Sequence, residues 1–430
     1  MVDLADDMHE ITLENGLKAI LKPIPSSPAI SHWVWYRAGS RNEVPGITGI
    51  SHFVEHMMFK GTERFPKDKL DRLLSKHGGN FNAFTSQDFT AYFETLPARE
   101  LKLALEIESD RMQNAKFEPE EVEAERTVVI SEREGLENDP AYMLQEEVMA
   151  ASFKVHPYRW PVVGWMDDLH EMTRDDLYEY YTRAYSPENA FLILTGGFEL
   201  DEGIASIEEA YTEIPSRGQP TRNIPDEPDQ RGERRVSVRM PGKNEYLMIC
   251  YHTPEITHDD VYGLMLLDAV MGGAKAVRSG VSFERSGRLH KALVEGDLAS
   301  VVHCNYTQSI DPNLFMVFAV ARDGVPIDEV EDAALEEIEM VKEKIPDEAE
   351  MRRALNQTKA QLAYATDGVT GQSYLVGSFE LRVGWKFLQD IVENLAGVTG
   401  DQVADAASRY LDRDNRTIGT FVPKPQEASQ

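Results

Sequence analysis

An order of elements that occurs twice restricts this chain more than any single motif in it. Leu169 is followed four residues later by Thr173, and Asn189 stands sixteen beyond that threonine; Leu395, Thr399 and Asn415 repeat the spacing. Each stretch reads as an amphipathic helix running into a strand. The surroundings repeat too. Before the first copy come a hairpin signal, Ile11 to Leu21 interrupted by Asn15-Gly16, and a strand-like run from Ile30 to Arg37. Helical periodicity follows over about 49–59 and 67–76, then strands over 80–85 and 89–96, helices from Arg99 to Ala151 and a closing strand over 190–195. Before the second copy come strands over 234–240 and 246–252, a helix near 259–271, strands over 298–306 and 314–321, and more helices. A polar stretch rich in Pro and Gly, 215–232, separates the two series. At 430 residues the chain exceeds one ordinary core and suits two of roughly 200 residues each. The expectation is an α+β chain of two homologous α/β sandwich-like domains, each a mostly antiparallel sheet covered by helices: 1–214, a linker over 215–232, and 233–430.

His52-Phe53-Val54-Glu55-His56 falls in the first helical segment. Residues i and i+4 of a helix stand one above the other, so His52 and His56 offer two imidazoles to one ion, and Glu55 shares their face. A zinc hydrolase needs neutral nitrogen ligands, an open position for water and a carboxylate to take the water's proton. Thr48 or Ser51 is available to cap this helix, Gly61 is placed to end it, and Ile50, Phe53, Val54, Met57 and Met58 would bury it. Three ligands are usual, so one must come from elsewhere. The helix opened by Pro119 carries Glu125 and Glu132 seven residues apart on one face. Glu120, Glu121, Glu123 and Glu134 are equally acidic, and spacing alone does not choose among them.

The order His-x-x-Glu-His resembles the inverted zinc signature of the pitrilysin family, which includes insulin-degrading enzyme and the mitochondrial processing peptidases. The segment Glu125-Arg126-Thr127-Val128-Val129-Ile130-Ser131-Glu132 is similar to the family's ligand segment, and similarity extends to Phe59-Lys60-Gly61-Thr62 and Gly78-Gly79-Asn80-Phe81-Asn82-Ala83-Phe84-Thr85. The resemblance implies that Glu132 joins His52 and His56 around Zn2+, that Glu55 activates water, and that Glu125 takes an auxiliary acidic place in catalysis. It also implies that Asn82-Ala83-Phe84-Thr85 is a strand edge binding the substrate main chain by β-augmentation. The implied enzyme is a zinc metalloendopeptidase acting on peptides or unfolded polypeptides, of the bacterial and processing-peptidase branch that assembles as dimers.

Family members with a complete site carry an Arg and, seven residues later, a Tyr in the second domain, where they bind the substrate carbonyl. Val294 and Ser300 occupy those places, with one residue fewer between them, and neither Arg288 nor Tyr306 stands at the family's position. This departure implies a hetero-oligomer in which a homologous subunit supplies Arg and Tyr, with a homodimer as the alternative assembly. A noncatalytic scaffold of the same fold is the competing reading. A formal charge of -30, from 44 basic and 74 acidic residues, repels a phosphate backbone, so no nucleic-acid partner is expected. No apolar run approaches the roughly 18 residues of a membrane span, so no membrane partner is expected either. The N-terminus lacks the basic start and apolar stretch of a signal peptide, from which a cytoplasmic address is expected. Cys250 and Cys304 make no disulfide framework and read as buried small hydrophobes.

Overall fold

The computed structural model of the chain describes residues 7–218, 220, 223–274 and 284–424. The first half contributes strands β1 (His9–Thr12), β2 (Lys18–Pro23), β3 (Ala29–Tyr36), β4 (Asn80–Thr85), β5 (Thr90–Pro97) and β6 (Ala190–Gly196), arranged β1-β2-β6-β3-β5-β4. The second contributes β7 (Arg234–Val238), β8 (Tyr246–Thr253), β9 (Ala299–Tyr306), β10 (Asn313–Ala321) and β11 (Arg416–Phe421), arranged β7-β11-β8-β10-β9. With β1 set aside the two sheets have one plan: a parallel pair, β2 with β6 or β7 with β11, followed by antiparallel pairings. The helices of the first half are α1 (Ile50–Met57), α2 (Lys67–Lys76), α3 (Leu101–Asn114), α4 (Pro119–Glu137), α5 (Pro140–Ser152), α6 (Met166–Glu171), α7 (Arg174–Ala184) and α8 (Leu200–Tyr211). Those of the second are α9 (Val261–Gly272), α10 (Ile327–Glu343), α11 (Glu348–Ala365), α12 (Gly368–Arg382), α13 (Phe387–Gly397) and α14 (Gly400–Tyr410).

Residue type sorts the strands. β3 and β6 are near-continuous apolar runs, buried along almost their whole length, and lie side by side at the centre of the first sheet. β4, with its Asn-Phe-Asn-Ala-Phe-Thr alternation and partial exposure, forms an edge. The Leu-Thr-Asn repeat also acquires a cause. Thr173 and Thr399 cap α7 and α14 through capping boxes closed by Asp176 and Gln402. Asn189 Nδ2 then donates to Ala184 O at 2.7 Å, and Asn415 Nδ2 to Tyr410 O at 2.8 Å, tying each helix end to the strand that follows. Leu169 and Leu395 are fully buried.

Each sheet has two apolar faces, and one of them is covered from the other half. Helices α1, α3, α7 and α8 shield one face of the first sheet. Its other face, with Trp33, Trp35, Phe191 and Ile193, joins the core of the second half, where α12 lies across β3 and β6. Reciprocally, Leu144 and Val148 of α5 pack on Met248, Cys250, Leu314 and Phe421 of the second sheet. Both crossings are close because a glycine sits at each: a Cβ on Gly377 of α12 would stand 2.3 Å from the Trp35 ring, and one on Gly419 of β11 would stand 2.2 Å from Val148 Cγ2. Polar ties follow the same seam. Arg37 donates to Leu381 O at 2.9 Å, and Arg234 donates to Ala151 O and Ser152 O, each at 2.7 Å. Asp311 meets His156 at 2.9 Å and Arg41; burial would raise its carboxyl, but these two partners hold it at about 2.

The glycine contacts give a signed test. Gly377→Ala should lower stability by about 1–3 kcal/mol, since overpacking against a buried indole outweighs the roughly 1 kcal/mol gained in helix propensity. Gly135→Ala in α4, where an added Cβ meets nothing within 4 Å, should raise stability by about 0.5–1 kcal/mol. Thermal unfolding of the two variants checks the pair, and shifts of the same sign would mean that the seam tolerates a methyl group.

Candidate metal centre

Helix α1 is buried nearly all round, with Ile50, Phe53, Val54 and Met57 in the core beside the polar Ser51, His52 and Glu55, and Met58 buried just after it. Its expected caps are not the ones used. Thr48 bonds Asp168 and receives Trp165 N at 3.0 Å, while Ser51, inside the helix, pairs with Tyr180 Oη at 2.7 Å. The carboxylate of Glu43 does the capping, accepting from Gly49 N at 2.7 Å and Ser51 N at 2.9 Å, where the positive end of the helix dipole favours an anion. Gly49 itself is left-handed at φ 86°, and a Cβ there would stand 2.1 Å from Val163 O.

On this frame His52, His56 and Glu132 converge, each offering one ligand atom within 4.8 Å of the others. Glu132 Oε2 lies 3.7 Å from His52 Nε2 and 3.5 Å from His56 Nε2, close to the roughly 3.4 Å edge of a tetrahedron with ~2.1 Å bonds to zinc. Two imidazole nitrogens and one carboxylate oxygen are a zinc donor set, so this site can hold the ion. Glu55 does not join the convergence; its Oε2 accepts from Thr85 Oγ1 at 2.6 Å. Glu125, seven residues before Glu132 on α4, reaches His56 Nδ1 at 2.9 Å and pairs through its other oxygen with Lys60.

Environment separates groups of one chemical type. Burial, aided by His56, pushes His52 down to about 4. Burial would lower His56 as well, but its bonds to Glu125 and Glu132 raise it to about 9. Near neutral pH His52 is therefore neutral and His56 cationic, so His56 would have to give up a proton to serve as a metal ligand. Burial raises the Glu55 carboxyl above the usual range against the pull of Thr85 and His56. Burial acts on Glu125 in the same direction, yet His56 and Lys60 bring it below that range. Glu132 is lowered chiefly by His56.

The expected substrate segment is β4, and its alternation divides it. Ala83 packs into the first core and Thr85 reaches Glu55, whereas Phe84 points the other way into an aromatic cluster with Trp33, Trp35, Phe89 and Tyr374. Asn82 Oδ1 accepts from Ala83 N at 2.9 Å. In the second half, Val294 ends a π-helix over His290–Val294 and the Ser300 hydroxyl donates to Val320 O at 3.3 Å. Arg288 is bonded to Glu350 at 2.8 Å and to Lys344 O, and Tyr306 Oη donates to Pro254 O at 3.3 Å. Glu43 and Lys60 had no role in the sequence reading. Glu43 leaves no local signature, since its capping contacts cross a turn, while Lys60 sits in a family-like segment whose purpose only the fold reveals.

Residues 18–164 match the family model described as insulinase, peptidase family M16, and residues 171–358 match the one described as the peptidase M16 inactive domain. The chain belongs to the M16 peptidase family. Its zinc donors all lie in the first matched segment, as the second description leads one to expect. The chain is 29% identical over 425 residues to the zinc protease PqqE of Helicobacter pylori, covering 96% of this chain and 92% of that protein. It is 25% identical over 424 residues to the probable mitochondrial-processing peptidase subunit beta of Arabidopsis thaliana, covering 97% of this chain and 79% of that protein. The crystal structure of a protease from Helicobacter pylori superposes with a TM-score of 0.91 at 25% identity, over 97% of this chain and 99% of that one. This M16 chain is a zinc metalloendopeptidase, and the noncatalytic scaffold reading falls.

The cytoplasmic address is corrected. The first half of the periplasmic protease PqqL of Escherichia coli has the same fold, with a TM-score of 0.76 at 20% identity over 97% of this chain and 92% of that one. Nothing in the fold selects a compartment: Cys250 and Cys304 are buried and form no disulfide, so the structure asks neither for reducing nor for oxidising surroundings. Among the described residues no helix is long and apolar enough to cross a membrane.

Elemental analysis should find about one zinc per chain, and His52→Ala or Glu132→Ala should hold little, because two ligands make a poor site. Glu125→Gln should still load zinc supplied in excess, though with weakened affinity, since that carboxylate orients a ligand and is not part of the convergence. Full occupancy in both ligand variants would sink the assignment.

Proposed function

We propose that this chain is the metal-carrying subunit of a peptidase that cleaves extended peptides or unfolded polypeptides and that works with a homologous subunit. The observation that carries the reading is the 2.6 Å bond from Thr85 to Glu55, which joins the end of an edge strand to the carboxylate beside ligand His56. β4 pairs with β5 on one side only, so a substrate main chain can add to its free edge and run toward Glu55. Asn82, Ala83, Phe84 and Thr85 then act mainly through their backbone, with Phe84 bracing the strand from behind. His52, His56 and Glu132 hold the metal, and Glu125 orients His56. Zinc, when bound, supplies Lewis acidity that acidifies water and polarises the substrate carbonyl. Glu55, whose burial raises its proton affinity, takes the proton of the attacking water and passes it to the leaving amine. In this reading residues 1–214 carry the chemistry, 215–232 connect, and 233–430 shape the enclosure.

The partner is inferred from what the second half withholds. Val294 and Ser300 stand where the family's Arg and Tyr would be, and Arg288 and Tyr306 are engaged in contacts within their own half. A relative named as subunit beta of a mitochondrial-processing peptidase supports an assembly of more than one kind of chain.

Glu55→Gln should retain zinc and lose peptidase activity by about 10²- to 10⁴-fold, because the amide keeps the shape but accepts no proton. Cleavage of a quenched peptide at near wild-type rate would mean that another group takes the proton. Separately, the zinc-loaded chain alone should turn over slowly, and a homologous subunit bearing Arg and Tyr should raise the rate by about 10²- to 10³-fold. High turnover by the isolated chain, unchanged by that subunit, would remove the need for a partner.

A further inference from the structure

Phe59-Lys60-Gly61-Thr62 begins one residue beyond α1, in the short 3-10 turn Met58–Lys60, and its lysine has no part in the chemistry above. Lys60 Nζ pairs with Glu125 Oε2, while Oε1 of the same carboxylate faces His56 Nδ1 at 2.9 Å. A cation, an anion and a metal ligand thus stand in line. The neighbours of Lys60 are fixed. The Phe59 ring lies against Phe81 and Tyr92, with the Arg111 guanidinium 5.2 Å from its centroid. The Thr62 hydroxyl bonds Asp110 and accepts from Phe65 N at 2.9 Å.

Burial decides what the pair is for. An exposed lysine-carboxylate contact contributes little, but these side chains are only 15% and 9% exposed. Glu125 without its cation would be a buried carboxylate with one oxygen unmatched, and such a group turns toward water. That turn releases His56 Nδ1. We propose that Lys60 is a positioning residue for the metal centre: by holding one oxygen of Glu125 it keeps the other on His56 Nδ1, so that Nε2 is the nitrogen turned to Glu132. The proposal rests on the zinc reading of the site. A lysine near a metal position would by itself repel a cation, but the Lys60–Glu125 pair is neutral as a unit, so orientation and not charge is what Lys60 contributes.

The test compares Lys60→Met and Lys60→Arg, each in the wild-type and Glu125→Gln chains, by chelator-competition measurement of zinc affinity and by thermal unfolding of the metal-free proteins. Lys60→Met should weaken zinc binding about 10- to 100-fold, and Lys60→Arg should restore it to within about threefold. In the Glu125→Gln background Lys60→Met should add less than about threefold, because its route to His56 is already cut. Zinc binding unchanged or tighter in Lys60→Met, or the same loss with and without Glu125, would overturn the proposal while leaving the zinc site standing. Should Lys60→Met fold poorly, the Arg rescue and the double variants still decide. A wild-type chain that takes up no zinc would instead overturn the reading of the site itself.

Discussion

The exchange of cover between the halves is the contact on which the remaining architecture depends. A strand as apolar as β3 presents large side chains to both sides of its sheet, and leaving either side wet would forfeit several kcal/mol for each buried aromatic. The first sheet's own helices reach one side. Trp33, Trp35 and Phe191 on the other are dry only because α12 arrives from the second half, and the second sheet is equally indebted to α5. The halves are therefore not two bodies joined by a tether. One consequence reaches the metal centre: Phe84, packed with Trp33, Trp35 and Tyr374, fixes edge strand β4 against material from both halves.

The site inherits that fixity through groups drawn from separate elements. Glu43 anchors the start of α1, Thr85 of β4 holds Glu55, and Glu125 of α4 holds His56 with Lys60 behind it. Three glutamates lie within one small region and differ in their behaviour. Glu55 has burial as its dominant influence and binds its proton more tightly than usual, Glu125 has a cation and an imidazole and binds it less tightly, and half-exposed Glu132 answers to His56. In the function proposed above, one residue type thus provides a base, an orienting group and a ligand.

Much of this was legible before the fold was known. The repeat of Leu, Thr and Asn marked a helix cap and a helix-to-strand tie, which are local and so leave local spacing. The i, i+4 histidines with Glu55 between them announced a shared helix face. Glu132 could not be selected by spacing, because α4 carries acidic residues around much of its circumference and only convergence with His52 and His56 distinguishes one. The cap on α1 was misjudged for a related reason: Glu43 acts across a turn, where no i to i+3 rule applies. Phe84 reads as part of a peptide-binding edge, yet its side chain belongs to the core seam. That seam leaves the faintest trace, since α5 and α12 show ordinary helical sequences and nothing in them states which sheet they will cover.

Counted back from the closing strand of each half, α5 and α12 hold the same place, α5-α6-α7-β6 against α12-α13-α14-β11, so the exchange is reciprocal between equivalent parts, as across the two-fold axis of a symmetric dimer. A half-length chain of this design would leave one sheet face bare until it met a second copy of itself. In such a pair every substitution appears twice, and neither copy could give up its metal ligands without the other. Covalent fusion lifts that obligation. Here α9, the counterpart of α1, contains no histidine at all, while its half continues to provide shelter. The duplicated chain has thereby gained what an identical pair is denied, the freedom for one copy to keep the chemistry and the other to forget it.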